Sequence, residues 1–244
     1  MNVMPIVHQN LSDKIYELLK EMIVRWEYRP GQRLIDSELA QQYGVSRRLI
    51  RNAITLLVNE GMVEVSHRRF YVARFSQKDI RDILQLRQML ETHALPAAIA
   101  HTSDDELADM EAKMAEAERL FADGDVEPFY ALDVETHRTI IDKGDNDYIK
   151  KVYGNLLTLL RMVIRSDFDK QRKISESFRK HRAFFEAWRR RDVKAAAKAL
   201  GHHLDRAEER VMENFSMILG DDTAGDETAD SLAIPLPPMK ENTR

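Results

Sequence analysis

Four side chains able to hold a metal recur at positions where a helix should present apolar groups. Around Phe129, Asp133, Thr136, His137 and Ile140 the spacing is that of one helical stripe, with an aspartate and a histidine four residues apart. Ile174, Phe178, His181, Phe185 and Trp188 form a second stripe with a histidine in its middle. Ala196, Leu200, His203 and Ala207 form a third, with His202 on the more polar side. A buried carboxylate is costly unless it is paired, hydrogen-bonded or coordinated. One inward histidine is ordinarily a satisfied core residue. Three with an aspartate suggest a divalent cation bound by imidazole and carboxylate, chemistry that suits zinc, nickel, manganese or iron.

A different chemistry is offered near the N-terminus. Ser46-Arg47-Arg48-Leu49-Ile50-Arg51 opens a helix with three arginines, and Arg47 and Arg51 project from one face. Arginine reads guanine with two hydrogen bonds and also grips phosphate. Cations at a helix N-terminus oppose the macrodipole by roughly 0.3–1 kcal/mol each, and the sequence shows no compensation, so an anion is expected there. The alternatives are a solvated basic face or a protein-interaction module.

These residues must be positioned by surrounding elements. Leu11, Ile15, Leu18, Leu19, Met22 and Ile23 mark a first helix, which Arg29-Pro30-Gly31 ends. Asp36 or Ser37 would cap a short helix ending at Gly44, and Ser46 would cap the next, which Gly61 closes. Met62–Val65 and Phe70–Ala73 read as a hairpin whose tip is His67-Arg68-Arg69. The turn Tyr43-Gly44-Val45-Ser46 fits a helix-turn-helix, with the hairpin as a wing. Everything further is helical. Ser76-x-x-Asp79 and Ser103-x-x-Glu106 look like capping boxes. Six helices are expected near 77–101, 103–123, 126–143, 146–167, 171–191 and 192–218, with Pro96 kinking or splitting the first.

The fold class is therefore mainly α: an N-terminal winged helix-turn-helix over 1–75, an antiparallel all-helical bundle over 76–219, and an acidic tail over 220–244 expected to be disordered. The net charge of −4 argues against a nucleic-acid partner only while it is undivided. Residues 1–75 hold 11 bases and 8 acids, a net +3; residues 76–219 carry −3 and the tail −4. The absence of cysteine excludes disulfides, thiolate zinc sites and cysteine nucleophiles. No run of about 18 apolar residues exists, and Met1 to Asn10 lacks the pattern of a secretory signal, so a cytoplasmic protein is expected.

Two resemblances sharpen this. Leu39-Ala40, Gly44-Val45-Ser46-Arg47, Arg51-x-Ala53-Ile54-x-x-Leu57 and Glu60-Gly61-Met62-Val63 resemble the winged helix-turn-helix of the GntR family of bacterial transcription regulators. That family usually has Thr-Pro at Arg48-Leu49, an acid at Asn52, a basic residue at Ser37 and glycine at Arg68. Asp133-x-x-x-His137, Asn146, His181, Asp192 and His203-Leu204 resemble the ligand-binding FCD domain of its FadR subfamily, and six helices point to the VanR-like variant. The resemblance implies double-stranded operator DNA as partner, read by Ser46, Arg47, Arg48 and Arg51 and by the wing residues His67, Arg68 and Arg69. It implies a divalent metal, zinc foremost, on Asp133, His137, His181 and His203. It further implies a small organic-acid effector held by Arg87 and Asn146, a homodimer, and no enzymatic activity. Arg87 and Glu91 fall on the inward stripe of the first bundle helix, and an internal ion pair is the plainer reading of Arg87. The rival classes are a metal-dependent hydrolase, which would want a further inward acid or base, and a regulator whose metal is purely structural.

Overall fold

The computed structural model describes residues 11–164 and 171–213, with side chains described from Phe178 onward in the second stretch. The first unit comprises α1 (Leu11–Val24), β1 (Arg33–Leu34), α2 (Asp36–Gln42), α3 (Arg47–Asn59), β2 (Val63–Ser66) and β3 (Arg69–Val72). Ile15, Leu19 and Ile23 of α1, Leu39 of α2 and Ile50, Ile54 and Leu57 of α3 bury together with Met62 and Val72. These are the apolar stripes that the spacing exposes. The hairpin pairs Val63 with Val72 through Ser66 with Arg69, antiparallel. β1, absent from the sequence expectations, adds to the other edge of β3 by pairing Arg33 with Tyr71 and Leu34 with Phe70. A strand of two residues carries no periodicity.

Turn chemistry sets the angles between these elements. Gly44 and Gly61 lie at φ +63 and +75, the left-handed values a helix end asks for. His67 and Arg68 also sit at positive φ, 49 and 65, as a two-residue hairpin loop with the twist of its strands requires. Ser46 caps α3 by accepting from the Leu49 amide. The expected cap of α2 is corrected: the N-cap position falls on Ile35, with no side-chain cap, and Asp36 is freed for another contact.

The second unit is helical throughout its described residues: α4 (Gln77–His101), α5 (Asp104–Ala122), α6 (Glu127–Asp142), α7 (Asp147–Ile164), α8 (Gln171–Arg189) and α9 (Val193–Glu213). Both expected capping boxes form, Ser76 with Asp79 and Ser103 with Glu106. Pro96 does not split α4, which runs as one helix of 25 residues. Proline removes a single backbone donor, and α4 is packed against α6, α7 and α9, which hold it in place. The short loops make sequence neighbours pack back to back, α5 on α6 and α8 on α9. At the turn into α7, a Cβ on Gly144 would stand 2.5 Å from the Ala94 Cβ, so that loop can close on α4 only with glycine. The expected acidic tail, 220–244, lies outside the described residues. No described helix is long and apolar enough to cross a membrane.

Candidate metal and effector centre, and the DNA-facing surface

Asp133 and His137 lie one turn apart on α6, and His181 and His203 come in from α8 and α9. All four are buried. From His137 Nε2 it is 3.0 Å to His203 Nε2 and 3.7 Å to Asp133 Oδ1. Asp133 Oδ1 is 3.1 Å from His181 Nε2 and 3.5 Å from His203 Nε2. Tetrahedral donors about 2.1 Å from a metal stand about 3.4 Å apart, so this spread matches one coordination shell. Burial resists the charge on Asp133, but the three histidines around it outweigh that cost and hold the carboxyl well below its usual range. Burial, and then His181, depress His203 to about 3, so it offers a neutral nitrogen.

His137 is held from behind by Glu91, which the sequence reading did not assign to it. Glu91 Oε2 lies 2.6 Å from His137 Nδ1. Burial alone would raise the Glu91 pKa, yet His137 and Arg87 lower it to about 2. An ionised carboxylate can only accept, so the proton sits on Nδ1 and the Nε2 lone pair faces the other donors. Glu91 Oε1 also accepts from Arg87 Nε at 2.8 Å and from the Tyr153 hydroxyl at 2.7 Å. Tyr153, on α7, was not singled out in the sequence because tyrosine on an apolar stripe is unremarkable. The Arg87-x-x-x-Glu91 spacing was the available signal for Glu91.

Arg87 is 2% exposed, and its Nη1 has no hydrogen-bond partner. The internal ion pair expected for it exists, but uses only part of the guanidinium. Burial opposes the charge, while Glu91, Tyr153 and Asp133 hold its pKa above the ordinary value. Beside it lies a small cavity with room for about one water, lined by Arg87, Asp133, His137, Tyr130, Tyr153 and Arg161 among apolar groups. A second, equally small, touches His137, His181, His203, Thr136 and Lys180. Asn146 lines neither cavity. Its Oδ1 accepts from the amides of Tyr148 and Ile149, capping α7. Asparagine is a preferred N-cap, and that is the contact this side chain makes.

The residues expected to face DNA are all exposed: Ser46, Arg47, Arg48, Arg51, His67, Arg68 and Arg69. The Arg51 guanidinium lies 6.0 Å from the Phe70 ring, which brings the wing against the reader helix. The inference from uncompensated charge is corrected. Asp36, released from capping, pairs with Arg47 at 3.0 Å and with Arg51 at 2.9 Å. Arg48 makes no ion pair among the described residues. Asp36 is mostly covered while both arginines stay over half exposed, so it orients them without removing them from solvent.

Fold and surface together describe a two-part chain: a winged helix-turn-helix followed by an all-helical unit. The family comparisons agree. Residues 11–72 match the model of bacterial regulatory proteins of the gntR family, and residues 82–206 match that of the FCD domain. The chain belongs to the GntR family, in its FCD-containing branch. It is 28% identical over 195 residues to the uncharacterized HTH-type transcriptional regulator YdhC of Bacillus subtilis, covering 79% of this chain and 87% of that one. It is 24% identical over 206 residues to the HTH-type transcriptional repressor RspR of Escherichia coli K12, covering 84% and 90%. The solved structure of E. coli McbR/YncC superposes with a TM-score of 0.75 at 18% identity, over 85% of this chain and all of that one, which establishes the shared fold.

Proposed function

We propose that the protein is a dimeric repressor whose hold on operator DNA is set by a small organic acid bound at a metal centre. The observation that carries this reading is the convergence of Asp133, His137, His181 and His203 beside the Arg87 cavity. The donor set fits a divalent metal: four buried nitrogen and oxygen donors within one shell, one of them backed by Glu91. Zinc suits this set best, and nickel, manganese and iron share its ligand chemistry. When bound, the metal would supply a Lewis-acid point for a carboxylate. Arg87, with Nη1 free, would donate to that carboxylate and fix its direction.

Arg47, Arg48 and Arg51 would enter the major groove and His67, Arg68 and Arg69 the flanking backbone or groove. Dimerisation is supported by exposed Leu86 and Met89 on α4 and Tyr148 and Val152 on α7, apolar groups on two helices that pack together. Two winged units would then meet two half-sites. The acid alters DNA affinity by favouring one arrangement of the two units, a coupling typically 1–3 kcal/mol and reciprocal.

The test is binding of the full chain to DNA upstream of its own gene, measured against salt. Affinity should fall steeply as salt rises. The double variant Arg47→Ala, Arg51→Ala should lose sequence-specific binding. Retention of specific binding by that variant removes α3 as the reader.

A further inference from the structure

Arg161 belongs to two structures at once. It lines the effector cavity, and its guanidinium forks onto Glu21 of α1, with Nη1 to Oε1 at 2.9 Å and Nη2 to Oε2 at 3.1 Å. Glu21 is part of the DNA-reading unit; Arg161 is part of the sensor. The same helix, α7, makes the neighbouring contacts between the units. The Met162 carbonyl accepts from Trp26 Nε1 at 3.2 Å, and Leu159 lies within 3.6 Å of where a Cβ on Gly61 would stand. One face of α7 gives Tyr153, Leu157, Leu160 and Ile164, together with Arg161, to the cavity. The reader unit thus rests on a wall of the effector site.

Charge decides what can displace the fork. With a divalent metal in place, Arg87, Glu91 and Asp133 leave the inner end of the cavity one positive charge in excess. One carboxylate balances it. Arg161 is already balanced by Glu21, through a fork whose partners are 24% and 40% exposed, and so held weakly enough to be exchanged. A monocarboxylate therefore leaves Arg161 on Glu21. A second carboxylate on the same molecule would need a further cation, and Arg161 is the other arginine lining the cavity.

We propose that Arg161 is the second anion-binding group of the site and the latch between the units, so that the effector is a short dicarboxylate whose far end takes Arg161 from Glu21 and frees the reader. This rests on the metal and carboxylate reading of the cavity. It adds the charge class of the acid and the contact through which it acts.

The test uses full-length zinc-loaded protein titrated calorimetrically with succinate and glutarate, and with butyrate as the single-charge control. The chain has two tryptophans, and Trp188 is buried at 0% exposure, so Trp188→Phe leaves Trp26 as the reporter of the contact with α7. Dicarboxylates should bind at least about fivefold more tightly than butyrate and shift Trp26 emission; butyrate should leave it unchanged. Glu21→Gln removes the competitor, so succinate affinity should rise about fivefold or more. Arg161→Gln should abolish the preference for two charges. The rise in Glu21→Gln is a sign that a merely structural ion pair would not give, and it is measured without the tryptophan variant. If the acids bind but Glu21→Gln binds succinate no more tightly than the wild type, the Arg161 latch is overturned and the metal site stands. If no acid binds the zinc-loaded chain, both readings fall.

Discussion

Glu91 is the residue on which the centre is most exposed to test. It is 0% accessible and accepts from three groups at once: His137 Nδ1, Arg87 Nε and the Tyr153 hydroxyl. Two perturbations separate its roles. Glu91→Ala removes the charge partner of a buried arginine, which costs about 3–5 kcal/mol of stability. Glu91→Gln keeps the shape but cannot serve all three donors. Its single oxygen can accept from His137 or from the Arg87–Tyr153 side, and its amide must face the other. His137 loses a charged acceptor, so its Nε2 becomes a poorer and less well oriented donor. Loss of such an outer partner lowers metal affinity about 10–100-fold, or about 1.4–2.8 kcal/mol. The assay is competition for zinc against a chromophoric chelator, with chemical denaturation of the same samples as the folding control. Asp133→Asn, at a direct donor, should lose far more. If Glu91→Gln is folded and holds zinc as tightly as the wild type while Asp133→Asn does not, Glu91 serves only to neutralise Arg87. The orientation argument is then wrong.

Three further outcomes are expected. Elemental analysis of His181→Ala should show a clear loss of bound metal relative to the wild type, and equal contents would remove His181 from the site. Zinc at about a hundredfold above its Kd should stabilise the chain by about 2.7 kcal/mol, seen as a Tm higher by roughly 5–10 °C that a chelator reverses; an unchanged Tm would contradict a folded-state metal site. Asn146→Ala should cost about 1 kcal/mol in denaturant unfolding through loss of the α7 cap while succinate binding persists. A tenfold loss of succinate affinity at unchanged stability would return Asn146 to the site.

Much of this architecture could be read from residue order. The stripes of α1, α3 and α6, the glycines at 44 and 61 and the capping serines at 46, 76 and 103 are local signals, because a helix repeats every 3.6 residues and its ends need particular partners. The four clustered side chains, Asp133, His137, His181 and His203, are legible for the same reason. Each breaks an apolar stripe, and breaking one carries a cost that has to be answered elsewhere in the fold.

What the sequence could not determine was which groups meet across elements. Asp36 looked like a helix cap and proved to be the counter-ion of Arg47 and Arg51, eleven and fifteen residues on. Asn146 caps α7, a contact its place in the resemblance does not reveal. Glu91 and Tyr153, 62 residues apart, share a hydrogen bond behind His137. Arg161 reaches Glu21 across 140 residues, from the helical unit to the winged one. Periodicity says which face of a helix is buried. It says nothing of the face opposite, because packing angles between helices depend on all the side chains in the contact together. The chemistry of each donor was therefore written in the chain, and the partner that tunes it was decided only by the tertiary structure.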